Sequence, residues 1–150
     1  MSDNLDDVVA GFKRWQTRMD KAGELSARYI SNAIWSKAKQ ITHETVNPPT
    51  QSNNRLRHNP HIGPRSGEGP NYATGNLNRN ILARQPIREG FATYVAIVSS
   101  QSEYARAVEF GASNWGGVKF PYMIPARDDV IKSGRARTIM FGFFDAAMKG

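Results

Sequence analysis

The stretch from Thr74 to Ala126 decides how this chain folds. Its most informative segments are TGNL at 74–77, FATYVAIV at 91–98, YARAVEFG at 104–111 and FPYMIPA at 120–126. Over 91–98, apolar residues occupy both sets of alternating positions, so a strand there presents apolar side chains on both of its faces. We therefore expect a small, mainly antiparallel sheet within 74–125, with the rest of the chain packed against it.

Within this sheet region the pattern predicts strands at Ala83–Ile87 and Phe91–Ser99, separated by a turn at Glu89-Gly90. Phe120–Pro125 alternates like an edge strand, because its prolines have no N–H to donate to an interior ladder. The period of Tyr104–Phe110 fits either a short helix or a strand. Both faces of the central strand need a cover, one from an N-terminal helix and the other from a C-terminal helix or another subunit.

Residues 5–46 have the pattern of a helix. Apolar residues recur at steps of four, three, four and three, at Val8, Phe12, Trp15, Met19 and Ala22. A glycine in a helix interior costs about 1 kcal/mol relative to alanine. The segment is therefore either one long helix with a weak point at Gly23 or two helices that meet there.

A continuous helix of this length would span roughly 60 Å at 1.5 Å per residue, more than a chain of 150 residues needs for its own core. Packing on its own sheet accounts for one half of the helix. The alternative for the remainder is packing on a neighbouring subunit, with Trp15 and Trp35 as anchors, because aromatic residues are enriched in interface cores.

The segment over 126–149 is predicted to be a C-terminal helix. Pro125 suits its start, and Asp128 and Asp129 are expected in its first turn, where acidic groups complement the helix dipole. Gly134 is expected to weaken or break the helix. The apolar stripe expected to face the core comprises Ile139, Met140, Phe143, Phe144, Ala147 and Met148.

Residues 47–73 are predicted to be a long loop rich in proline and glycine. Loops of this length inside a compact domain are uncommon and are usually functional or disordered. One interpretation is a solvated, mobile insertion. The other is an arm that orders on a partner subunit or on DNA phosphates through Arg55, Arg57 and Arg65.

The length of 150 residues allows one domain, and the helix and strand patterns predict that it is of the α+β class over 1–150. It has no disulfides, since the chain contains no cysteine. The formal net charge of +7 and the pI of about 10.0 make nucleic acid a candidate partner, although no run of five or six like charges occurs. The sequence contains no apolar run of transmembrane length, so no membrane partner is expected.

The search for catalytic and cofactor motifs predicts neither an enzyme nor a cofactor. His43-Glu44 lacks the second histidine of a zinc-protease helix, and the glycines after position 62 lack the surroundings of a phosphate-binding loop. His58 and His61 have only Glu68 as a nearby third ligand, so they are expected to be ordinary loop residues rather than metal ligands.

A family resemblance is carried by three segments in a fixed order, together with the helices that flank them. The segments are TGNLNRNI at 74–81, YARAVEFG at 104–111 and PYMIPA at 121–126. The chain resembles the neck proteins of tailed bacteriophages, which are head–tail joining or tail-completion proteins and include minor tail components. The long segment before Thr74 departs from the pattern, because the family usually passes quickly from the helix to Thr-Gly.

The resemblance implies a non-enzymatic virion protein, assembled in the host cytoplasm, that forms a ring of identical subunits, a hexamer by family analogy. Its implied partners are head-completion or connector proteins, tail-terminator or tail-tube proteins, and phage DNA passing non-specifically through the lumen. Alternatives are a tail terminator or other tail-tube-associated subunit, and a small basic DNA-binding protein.

A ring is closed by head-to-tail interfaces in which different patches of one subunit meet. Glu109 is expected either to pair with an arginine across such an interface or to be a solvated edge charge. The expected interface residues are Trp15, Trp35, Tyr104, Glu109, Phe110, Trp115 and Tyr122.

Overall fold

A computed structural model describes residues 3–44, 76–111 and 119–149, and it has the predicted α+β architecture. Its helices are α1 (Asp3–Glu44), α2 (Asn76–Arg79), α3 (Ala105–Phe110), α4 (Met123–Lys132) and α5 (Arg135–Lys149). Its strands are β1 (Ile81–Ala83), β2 (Ile87–Gly90), β3 (Thr93–Val95) and β4 (Val98–Ser100). The loop predicted over 47–73, its three arginines and Trp115 lie outside the described residues.

Helix α1 continues without interruption through Gly23, which decides between the two predicted arrangements. The β2–β3 turn lies directly over this glycine. A β-carbon at position 23 would stand 2.5 Å from the carbonyl oxygen of Ala92 and 2.8 Å from its carbonyl carbon. Glycine is therefore the point where a second backbone approaches the helix, and not a point where the helix ends.

The strands form two separate antiparallel pairs, β1 with β4 and β2 with β3. Ile81 pairs with Ser100 in the first, and Ile87 pairs with Val95 in the second. The single strand predicted over Phe91–Ser99 is therefore wrong, because residues 91–92 form a turn and residues 96–97 separate β3 from β4.

The turn predicted at Glu89-Gly90 is also wrong. Gly90 belongs to β2 and is the partner of Thr93, with an irregularity in the ladder between Arg88 and Gly90. The chain reverses one step later, at Phe91 and Ala92, and Ala92 takes a φ of 50°. The strand predicted at Ala83–Ile87 covers only the end of β1 and the start of β2.

The main core lies against the C-terminal half of α1. It contains buried residues from α1, α2, β1, α3 and the region of α4: Ala38, Leu77, Ile81, Val108, Tyr122 and Ala126. Many buried positions of α1 are small residues, such as Ala27, Ser31 and Ala33, which allow the other elements to approach closely. The sheet region and the C-terminal region thus meet on one helix.

The C-terminal region differs from the prediction in two respects. Residues 119–122 form no strand, and α4 already begins at Met123, so the edge strand expected at Phe120–Pro125 is wrong. Asp128 and Asp129 consequently lie beyond the first turn of α4, which contains no acidic residue. The break expected at Gly134 is confirmed, since this glycine has a φ of 79° and separates α4 from α5.

Helices α4 and α5 pack mainly on α1. The ring of Tyr29 on α1 lies 5.0 Å, centroid to centroid, from that of Phe143 on α5. Thr93 and Val95 of β3 are exposed, so no described element covers that side of the strand. The C-terminal helix expected there as a cover is wrong, and the alternative cover, another subunit, stays a prediction.

Candidate subunit interface

The first third of α1 carries a row of exposed apolar side chains, which we call the α1 stripe: Leu5, Val8, Phe12 and Trp15. Leu5 retains 67% of its exposed area and Phe12 retains 57%. Of the side chains described between positions 5 and 21, none is buried, and the first buried one is Ala22. This part of the helix therefore holds apolar surface that the described part of its own chain does not cover.

The face that carries the α1 stripe continues into the packed half of the helix. Beyond Trp15, steps of four, three, four and three residues lead to Met19, Ala22, Ser26 and Tyr29. Ala22 and Ser26 are buried, and Tyr29 contacts α5. The face that α5 covers in the second half of α1 is thus left open in the first half.

The β2–β3 turn extends this apolar surface. The ring of Phe91 lies 6.0 Å from that of Trp15, and the ring of Trp15 lies 5.6 Å from that of Phe12. Phe91 is itself about half exposed. The sequence assigned Phe91 to a strand and so missed its place beside the predicted anchor Trp15.

Asp20 fixes the position of this turn on α1. Its Oδ1 accepts hydrogen bonds from Nε of Arg88 at 3.2 Å and from the backbone N–H of Ala92 at 3.1 Å, and its Oδ2 accepts one from the hydroxyl of Tyr94 at 3.0 Å. Desolvation works to raise the pKa of this carboxyl, but the hydrogen bonds and the charge of Arg88 outweigh it and lower the pKa. Desolvation and the neighbouring Asp20 together raise the pKa of the Tyr94 hydroxyl.

A second uncovered surface lies on α5, in which no residue is buried. We call Met140, Phe141 and Met148 the α5 face, and all three are exposed, Phe141 by 61%. The expectation that Met140 and Met148 face the core is therefore wrong. The signal in the sequence was Phe141 itself, because consecutive apolar residues at 139–141 cannot all face one neighbour across a helix.

Three of the predicted interface residues remain on the surface. Trp15 belongs to the α1 stripe, and Tyr104 and Phe110 are exposed at the two ends of the short helix α3. Phe110 is 63% exposed. These positions are compatible with contacts to another subunit.

Trp35 is partly buried and Tyr122 is buried. The indole Nε1 of Trp35 donates a hydrogen bond of 2.9 Å to the carbonyl oxygen of Ile81, and Lys39 Nζ lies 4.6 Å from the ring centroid. Tyr122 is only 1% exposed and belongs to the main core. Both aromatic residues connect elements of their own chain. The interface prediction for Tyr122 is therefore wrong, whereas that for Trp35, which keeps some exposed surface, stays a prediction.

Glu109 is also buried, and its role is internal. Its carboxylate oxygens accept hydrogen bonds from three consecutive backbone N–H groups at the start of α4, those of Tyr122, Met123 and Ile124, at 2.8, 2.9 and 2.9 Å. A carboxylate is well suited to this position, because the first N–H groups of a helix have no partner within it. The expectations of an inter-subunit ion pair and of a solvated edge charge are therefore both wrong.

The side of α1 next to the α1 stripe carries a basic groove. Gly11, Lys13, Arg14, Thr17 and Arg18 line a volume of about 610 Å³. Nε of Arg18 is buried there and has no hydrogen-bond partner among the described residues. An anionic group such as a phosphate would complement these cations.

No other ligand chemistry is apparent in the described residues. They contain no group of three or more potential metal-ligating side chains, and none of their helices is long and apolar enough to cross a membrane. Comparison with family models, with curated proteins and with solved structures gives no match to this chain.

Proposed function

We propose that this protein is a structural component of a tailed-phage virion, a neck or tail-completion subunit whose copies form a ring between the head connector and the tail. The observation that carries the proposal is the pair of uncovered apolar surfaces, the α1 stripe and the α5 face. Large exposed apolar patches on a folded chain mark surfaces that another molecule covers.

The two surfaces belong to different elements of the chain. If two copies associate by joining unlike surfaces, the pair keeps one surface of each kind free, and continued association closes into a ring when the rotation allows it. This is the geometry that the resemblance of the segments at 74–81, 104–111 and 121–126 implies. The same proposal includes a ring of six subunits, contacts with connector and tail proteins, and passage of DNA through the ring. It also includes the alternative position as a tail terminator.

The test is the location and assembly state of the protein. Mass measurement of the purified chain across a concentration series, together with mass spectrometry of purified particles, should find it in particles and as a closed oligomer there. A chain that is strictly monomeric and absent from particles would refute the proposal. A monomer in isolation that is present in particles would support assembly on a partner.

A second candidate function, non-specific binding of duplex DNA, is favoured by the basic groove and the net charge of +7. Binding through phosphates predicts a log–log salt dependence with a slope of about −0.9 per phosphate neutralised. Replacing Lys13, Arg14 and Arg18 by Gln should make this slope shallower. Replacing Arg127, Lys132 and Lys149 by Gln removes the same number of charges at positions that pair with Asp128 and Asp145, and is the matched control. Undetectable binding at low salt excludes this function.

A further inference from the structure

We propose that the α1 stripe of one subunit docks on the α5 face of a second copy of the same chain. This inference deepens the proposed function and rests on its requirement for self-association. It identifies which two surfaces meet and the relative direction of the two helices.

The first argument is the matching spacing of the two surfaces. Val8 and Trp15 are seven residues apart on α1, and Phe141 and Met148 are seven residues apart on α5. A seven-residue repeat places both members of each pair on one side of a helix, two turns apart. Two parallel helices can therefore bring Val8 beside Phe141 and Trp15 beside Met148 at the same time.

The second argument is charge. The start of α1 carries Asp6 and Asp7 and no lysine or arginine before Lys13, whereas the start of α5 carries Arg135 and Arg137 and no acidic residue before Asp145. In a parallel arrangement the acidic start of α1 lies at the level of the basic start of α5, and the basic residues that follow on α1 lie at the level of Asp145, so the attraction acts between whole turns and not through direct ion pairs. An antiparallel arrangement would instead place Arg14 and Arg18 towards the arginines of α5, and like charges at an interface select against that orientation.

The third argument is that α5 already uses its other side within its own chain. Ile139, Phe143 and Ala147 are half-buried at spacings of four, and Phe143 contacts Tyr29 of α1. The α5 face is exposed on the remaining side of the same helix. One α5 can therefore lie between its own α1 and the α1 of a neighbour.

The test uses disulfide trapping, which is clean here because the chain has no cysteine. Full-length single variants are mixed in equal amounts and oxidised. Val8→Cys should cross-link with Phe141→Cys, and Trp15→Cys with Met148→Cys. Val8→Cys mixed with Met148→Cys is the control for register, since the two positions would be about 10 Å apart along the helix axis at 1.5 Å per residue. This control should cross-link at least tenfold less.

Three outcomes would overturn the proposal. One is a dominant cross-link between two copies of Val8→Cys, which would mean that two α1 stripes meet each other. Another is an oligomer in which neither expected pair reacts. The third is no reaction of any pair at the highest soluble concentration of the chain. Presence of the unmodified protein in particles tests the proposed function separately, so a ring that is built through other surfaces would be recognised as such.

Charge reversal provides a readout that does not depend on removing apolar surface. Asp6→Lys combined with Asp7→Lys should weaken association several-fold at low ionic strength, and Arg135→Glu combined with Arg137→Glu should do the same. Mixing the two double variants should restore association between them. If both double variants weaken association and their mixture does not restore it, the proposed attraction between these two turns is contradicted.

Discussion

The carbonyl oxygen of Ala92 lies 2.5 Å from the position that a β-carbon at residue 23 would occupy. The turn between β2 and β3 thus rests on α1 backbone to backbone, and Asp20, three residues earlier on the helix, accepts the N–H of the same alanine. This contact brings Phe91 beside Trp15 and so extends the apolar surface of the α1 stripe. A glycine in the middle of a long helix is what makes the contact possible.

Gly23→Ala should therefore destabilise the protein, although alanine is the better helix former. All three of the atoms nearest to the new β-carbon belong to the backbone of Ala92, so no flexible side chain can move aside. We expect a loss of about 1–3 kcal/mol in the free energy of unfolding, the usual range for overpacking. Urea denaturation followed by circular dichroism measures it.

Gly11→Ala is the matched control on the same helix. The nearest atom to its β-carbon would be the terminal nitrogen of Arg14 at 3.9 Å, which is an ordinary contact. The higher helix propensity of alanine should then be the main effect of this substitution and stabilise the protein by up to about 1 kcal/mol. Equal effects of the two substitutions would contradict the close approach at Gly23.

Ala92→Gly should stabilise the turn. Ala92 has a φ of 50°, and a residue with a β-carbon costs about 1–2 kcal/mol in the left-handed region. Glycine avoids this cost but gives the unfolded chain more freedom, so we expect a net gain of about 0.5–1 kcal/mol in unfolding free energy. A loss of stability, measured in the same urea experiment, would show that the turn does not hold this conformation in solution.

The sequence predicted the elements that depend on long, regular patterns. The heptad-like spacing from Val8 to Ala22 identified α1, and Gly134 was recognised as the break before α5. The turn was misplaced because glycine is the usual sign of a reversal, whereas here Gly90 belongs to β2 and Ala92 takes the positive φ. The position of the turn, with Ala92 and not Gly90 at positive φ, depends on the tertiary contact with Gly23, which a local sequence pattern cannot predict.

The candidate site could be predicted only in part for a similar reason. The exposure of Trp15 agrees with a helix that is longer than its own core needs, and its role as an interface anchor stays a prediction. Glu109 and Tyr122 were wrongly predicted at the subunit interface because their hydrogen bond depends on how α3 and α4 pack together. In sequence, a carboxylate that caps another helix cannot be distinguished from a surface charge. The α5 face was missed because Met140 and Met148 lie at spacings typical of a core-facing stripe, so that the adjacent Phe141 is the signal of a second apolar side.

Glu109→Ala should cost more stability than an exposed glutamate would. The substitution leaves three N–H groups at the start of α4 without their acceptor, in a buried position. We expect a loss of about 2–4 kcal/mol in unfolding free energy. Glu109→Gln should lose less, because one side-chain oxygen can still accept.

The control for Glu109→Ala is Glu103→Ala, at an exposed position just before α3, the helix that carries Glu109. Its effect should stay within about 0.5 kcal/mol. Hydrogen exchange provides a local readout, since the amides of Tyr122, Met123 and Ile124 should lose protection in Glu109→Ala and keep it in Glu103→Ala. Unchanged protection in Glu109→Ala would contradict the capping role.

The attachment of the β2–β3 turn should depend on pH through Asp20. The pKa of this carboxyl is lowered in the folded protein from its ordinary value of 3.8, because its hydrogen bonds and Arg88 outweigh desolvation. Its contribution to stability is therefore fully present above pH 3.8 and is lost as the pH falls through the lower folded pKa. Asp20→Asn, which cannot ionise, should be less stable than the wild type by a constant amount between pH 5 and 7, and the difference should shrink below about pH 4.

Urea midpoints of the wild type and Asp20→Asn measured from pH 7 down to pH 3 provide the comparison. Asp145→Asn is the matched loss of a carboxylate, because Asp145 pairs with Lys149 on an exposed helix surface, and such pairs contribute little. It should change the midpoint only slightly at neutral pH, whereas Asp20→Asn should lower it clearly. Hydrogen exchange of the Ala92 amide, which donates to Asp20, should report release of the turn in Asp20→Asn at neutral pH and in the wild type only under acid conditions. A gap between the wild type and Asp20→Asn that widens as the pH falls would have the wrong sign for a carboxyl with a lowered pKa and would contradict this role of Asp20.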